Sequence, residues 1–119
     1  SVGQGGAAFD GPWHDIEVEV ADLRRWRDEG RDVQLLDVRQ PVEHSIASIE
    51  GARLIPMNEL PARVGELDPA RPIVAFCHHG GRSLRATQWL RAQGFERAAS
   101  LAGGIDAWSV EADPDVPRY

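Results

Sequence analysis

The chain has 119 residues, which is room for one domain at ~100–200 residues each and enough for a core of its own. Its 13 Lys and Arg against 19 Asp and Glu leave a net charge of -6, which argues against a nucleic-acid backbone as ligand, and no apolar run approaches the ~20 residues of a membrane span. Cys77 is the only cysteine, so an intrachain disulfide and a multi-cysteine metal site are both excluded, and a reducing, cytoplasmic setting is expected.

Residues 1–12 (SVGQGGAAFDGP) are glycine-rich and lack the basic and apolar regions of a secretory signal. They read as a flexible lead-in to a single domain over 13–119. Ile16-Glu17-Val18 alternates and reads as a short edge strand. Ala21, Leu23 and Trp26 then recur at near-helical spacing. Glu19 is a poor cap for that helix, Asp22 suits its dipole, and Gly30 is placed to stop it. Residues 33–38 (VQLLDV) form an apolar run with a polar end, a buried strand that Pro41 terminates. GARLIP, from Gly51 to Pro56, is a second short strand, and Asn58 is expected to cap a brief helix running to about Val64. Pro72 introduces Ile73-Val74-Ala75-Phe76, the clearest central strand. The helical pattern from Arg82 to Gln93 places Ala86, Trp89 and Leu90 on one face and Gly94 at its end. Ala98 to Leu101 is a last strand, followed by a short helix from Ile105 to Trp108 and a tail from Ser109, containing Pro114 and Pro117, that should lie extended. Strands alternating with helices predict an α/β domain with a mostly parallel sheet and helices on both faces. Sites in such sheets form beyond the carboxyl ends of strands, where Asp37 and Cys77 both stand.

The chemistry concentrates in Cys77-His78-His79-Gly80-Gly81-Arg82-Ser83. A strand delivers a thiol, two glycines let backbone N–H groups turn inward, and a helix begins. The helix N-terminus and Arg82 add positive charge, so the thiol is expected to ionise more readily than a free cysteine. The same cradle suits a persulfide anion or an oxyanion. His78 and His79 are expected to shape the loop. No metal is expected, because adjacent residues rarely aim at one ion. His14 and His44 lie far off in sequence and are expected to face solvent.

These segments together resemble the rhodanese (thiosulfate sulfurtransferase) domain family. The resemblance runs from about Ile16 to Trp108 and rests on LLDVRQPVEH (Leu35 to His44), GARLIPMNEL (Gly51 to Leu60), PIVAFCHHGGRS (Pro72 to Ser83) and LAGGIDAW (Leu101 to Trp108). It implies a three-layer α/β sandwich with a central, mostly parallel sheet. It implies that Cys77 is the sulfur-carrying nucleophile, that His78 to Ser83 wrap the bound sulfur, and that Asp37 and Arg39 lie at the pocket's edge. Ala47 and Ser48 stand where the family often has Gly-His, a change that bears on packing and not on the nucleophile.

The implied activity moves sulfane sulfur from thiosulfate or a persulfide to a thiol or cyanide, with no cofactor. Together with CHHGGRS, the tail DPDVPRY (Asp113 to Tyr119) is similar to bacterial rhodanese domains, some fused to ubiquitin-activating-type adenylyltransferases. A sulfur-carrier protein or such an adenylyltransferase is therefore an implied partner; nucleic acid and membrane are not expected. Two alternatives remain at this point. Phosphatases and arsenate reductases of the same fold use a loop that resembles Cys, five residues, Arg, whereas only four separate Cys77 from Arg82. The other is a docking or sulfur-carrier module serving one partner protein.

Overall fold

Short apolar runs separated by turn residues collapse into a sheet whose strands hide both faces. The computed structural model describes residues 15–119. The lead-in expected over 1–12, and His14, lie outside the described residues. In chain order the elements are β1 (Glu17–Val18), α1 (Val20–Asp28), β2 (Gln34–Asp37), α2 (Pro41–Ile46), β3 (Arg53–Leu54), α3 (Leu60–Arg63), β4 (Ile73–Phe76), α4 (Gly81–Ala92), β5 (Ala98–Leu101) and α5 (Gly104–Glu111). Short 3-10 turns at Met57–Glu59 and Val64–Glu66 flank α3. The strands make one sheet in the order β1-β5-β4-β2-β3, with every neighbouring pair parallel.

All of β4 is buried, as a central parallel strand should be. Its residues alternate between two cores. Val74 and Phe76 join Leu23 and Trp26 of α1 and Ile105 and Trp108 of α5. Ile73, Ala75 and Cys77 join Leu60 of α3 and Ala86 and Leu90 of α4. Helices thus cover both faces, the three-layer arrangement expected. Each fully buried Leu or Ile in these layers contributes roughly 1.5–3 kcal/mol of transfer free energy.

Four local expectations are corrected. β2 already ends at Asp37, and Pro41, expected only to stop it, opens a helix, α2, whose first turn closes when the Gln40 N–H donates to Glu43 Oε1 at 3.1 Å. Proline suits that first position because its missing N–H would have no partner there. Asn58 does not cap the helix: it lies inside the 3-10 turn that Pro56 precedes, and α3 begins at Leu60 with Pro61 in its first turn. The start of α1 does not depend on Glu19 alone, since Asp22 reaches back to accept the Glu19 N–H at 3.2 Å. The tail is not extended from Ser109. Buried Trp108 and Ser109 hold α5 on the sheet through Glu111. The Ser109 hydroxyl then donates to the Val116 carbonyl at 2.5 Å, and the chain returns to lay Tyr119 against His78.

Candidate active site

Strand β4 carries Cys77 to the carboxyl edge of the sheet, between β5 and β2. The loop that follows folds back on the sulfur. Gly80 has φ 115, a left-handed conformation natural to glycine, and its N–H donates to Cys77 Sγ at 3.1 Å. The Ser83 N–H donates at 3.4 Å, and the Ser83 hydroxyl lies 3.5 Å from the sulfur. Cys77 is only 1% exposed. Burial pushes the thiol up, but the Ser83 hydroxyl and the N–H groups of Ser83, Gly80 and Arg82 outweigh it and leave the pKa below its ordinary value. Ser100 of β5, a residue that sequence reasoning missed, places its hydroxyl 2.7 Å from that of Ser83. Ser83 can accept from Ser100 and turn its own proton either to the Gly80 carbonyl, 3.2 Å away, or to an ionised sulfur.

The outer side of the loop is pinned by α5. The Ile105 N–H donates to the Cys77 carbonyl at 2.9 Å and the Asp106 N–H to the His78 carbonyl at 3.1 Å. Gly104 allows this approach: a Cβ there would sit 2.5 Å from the Cys77 carbonyl oxygen, on a backbone with φ +64. LAGGIDAW is therefore part of the site as well as of the fold.

Arg82, expected to offer its charge to the sulfur, shares that charge with Glu43. Its guanidinium donates to Glu43 Oε1 at 2.7 Å and Oε2 at 2.9 Å. The Glu43 carboxyl is pulled down to about 2, chiefly by these hydrogen bonds, and Arg82 is raised by the same pair. Tyr119 OH donates to Glu43 Oε2 at 2.9 Å and accepts from Arg39 Nη1 at 2.8 Å. Sequence reasoning passed over Glu43 and Tyr119. The Gln40-Pro41-Val42-Glu43 pattern, a capping box with proline at the first helical position, was the available sign that Glu43 is held in place.

Asp37 and Arg39, which the resemblance places at the pocket's edge, are both completely buried. Arg39 donates to Asp37 Oδ1 at 2.8 Å and Oδ2 at 2.7 Å, and to the Ala47 carbonyl at 2.6 Å. The pair locks β2 to the end of α2. His44 does not simply face solvent, since its Nδ1 lies 2.8 Å from Asp37 Oδ2. His78 stacks between His79 and Tyr119, with ring centroids 3.9 Å away on each side. Burial and the neighbouring His79 hold its pKa below the ordinary histidine value. His78, His79 and Asp106 bring potential metal-ligand atoms within 4.8 Å of one another, but Arg118 engages the Asp106 carboxylate at 2.8 and 3.2 Å and the two imidazoles stack. Among the described residues no helix is long and apolar enough to cross a membrane.

Residues 19–111 match the family model described as Rhodanese-like domain. A sulfurtransferase of Allochromatium vinosum is 35% identical over 100 residues, covering 84% of this chain and 94% of its own length. The probable adenylyltransferase/sulfurtransferase MoeZ of Mycobacterium tuberculosis is 41% identical over 104 residues, covering 86% of this chain and 26% of its own. The chain thus spans well under half the length of several curated relatives that it matches. Among solved structures, a rhodanese-related protein of Thermoplasma volcanium superposes with TM-score 0.77 at 30% identity, covering 88% of this chain and all of the other.

Proposed function

The chain belongs to the rhodanese-like domain family, and on that footing we propose that it carries sulfane sulfur from a small donor to a thiophilic acceptor as a persulfide on Cys77. The observation that carries this reading is the convergence of the Gly80 and Ser83 N–H groups and the Ser83 hydroxyl on one buried sulfur. A thiolate held this way is both nucleophile and carrier. It attacks the outer sulfur of thiosulfate; the donor's S–S bond breaks, sulfite leaves with the electron pair, and Cys77–S–S⁻ remains. The loop donors then face the terminal sulfur and stabilise its charge. A thiol or cyanide takes that sulfur and releases the Cys77 thiolate. These steps call on no metal or organic cofactor. The short spacing from Cys77 to Arg82 supports this reading over the phosphatase and arsenate-reductase alternative, because a tighter loop fits a sulfur atom better than a tetrahedral oxyanion.

Relatives that join such a domain to an adenylyltransferase support a sulfur-carrier protein or an adenylyltransferase as partner. A reducing, cytoplasmic setting would keep Cys77 free between turnovers. Intact mass spectrometry after incubation with thiosulfate or an alkyl persulfide, without reductant, tests the proposal. Wild type should gain one sulfur atom that cyanide removes, and Cys77→Ser should gain none. Loading of Cys77→Ser would overturn the assignment of the nucleophile. A wild type that takes no sulfur but hydrolyses an aryl phosphate would put the phosphatase reading in its place.

A further inference from the structure

The loop's own cation is already engaged. Arg82 gives both terminal nitrogens to Glu43, and Tyr119 OH and the Gln40 N–H hold the same carboxylate in place. The Glu43 side chain is 17% exposed and that of Arg82 33%, so solvent screens the pair only in part. Arg39 is sealed away and neutralised by Asp37, and Arg118 is paired with Asp106. The charged groups of the described residues that hydrogen-bond around the loop thus form balanced pairs. Attack on thiosulfate brings a dianion to a thiolate, and like charges at short range need an uncommitted cation between them.

We infer that Glu43 sets the donor class, by pairing with Arg82 so that the site favours persulfides of low charge, R–S–SH, over dianionic thiosulfate. This rests on the sulfur-carrier reading above. With a persulfide, the Cys77 thiolate bonds to the outer sulfur, the donor's S–S bond breaks, and R–S⁻ leaves with the electron pair. The proton stays on the transferred sulfur, giving Cys77–S–SH. Charge and electrons balance with no added oxidant or reductant. With thiosulfate the same displacement expels sulfite and leaves Cys77–S–S⁻, so three negative charges must be accommodated throughout.

The test compares sulfur loading of the full chain, read by intact mass against time, from thiosulfate and from the persulfide of 2-mercaptoethanol. Wild type should load from the persulfide at least about tenfold faster. Glu43→Gln keeps an oxygen that accepts from Arg82 but removes the charge. It should speed loading from thiosulfate by about tenfold, leave the persulfide within about threefold, and lose most of its gain at high salt. Arg85→Gln is the control. Arg85 lies one turn along α4, in an apolar groove with Met57, Leu60 and Trp89, and its loss should not alter the donor ratio in that direction. If wild type loads from thiosulfate as fast as from the persulfide, or Glu43→Gln moves both donors alike, the inference is overturned and the sulfur-carrier reading stands. If neither donor places sulfur on Cys77, both fall together.

Discussion

At Cys77, burial and hydrogen bonding act against each other. The donors prevail because the N–H groups and the hydroxyl come from one stretch of chain, Gly80 to Ser83, already turned toward the sulfur. The native thiol therefore binds its proton less tightly than the unfolded chain does. Folding stability from this group rises as pH climbs through the native pKa, and it is fully present only above the unfolded value. Ser83→Ala removes the hydroxyl while keeping the N–H. A hydrogen bond to a charged group contributes ~1.5–3 kcal/mol, so alkylation of Cys77 at neutral pH should slow roughly tenfold or more, with its half-rise moved to higher pH. An unmoved half-rise would mean that the N–H groups alone hold the thiolate. Cys77 and its loop were legible in the sequence because residues close along the chain build the cradle. Ser100 was not, because a serine inside an apolar strand carries no sign of what lies across the sheet.

At the scale of elements, the first turn of α5 shapes the loop from outside. Its N–H groups occupy the Cys77 and His78 carbonyls, so the loop's own N–H groups are left to face the sulfur. Gly104→Ala meets two obstacles, a left-handed backbone and a carbonyl 2.5 Å from the new Cβ. The backbone term alone is about 1–2 kcal/mol, and the collision must also displace the loop. We expect sulfur loading to fall by an order of magnitude or more, with a lower urea midpoint. Full activity in this variant would show that the loop keeps its geometry without α5. Element positions in the sheet were read well from apolar runs, down to β4 and β5. Helix α2 is hidden in the sequence because Pro41 signals the end of an extended run, and proline is equally at home in a first helical turn.

Across the whole molecule, one polar network ties the sheet, α2, the loop and the returning tail together. It runs from Asp37 through Arg39 and Tyr119 to Glu43 and Arg82. Arg39 also stacks its guanidinium 5.6 Å from the ring centres of Phe76 and Tyr119. Arg39→Met would leave the buried Asp37 carboxylate only the His44 ring and the residue-39 N–H as partners, a loss of up to about 3–5 kcal/mol. Urea denaturation should show that loss, and adding Asp37→Leu should recover part of it. A change below ~1 kcal/mol would mean that His44 or water takes over from the arginine at little cost.

Local sequence determined what local physics controls. Apolar runs marked the strands, glycines marked the stops, and the order Cys-His-His-Gly-Gly-Arg-Ser placed a thiol, N–H donors and a helix start within one turn of chain. Tertiary structure alone decided which charges meet. Glu43 and Arg82 are 39 residues apart, and Tyr119 is 76 from Glu43. No periodicity links such residues. They come together because parallel connections return every strand to the same edge, collecting side chains from distant segments around one sulfur. Whether an arginine serves a substrate or a neighbouring carboxylate depends on that gathering, since a full charge interacts with whatever the fold brings within a few ångströms of it.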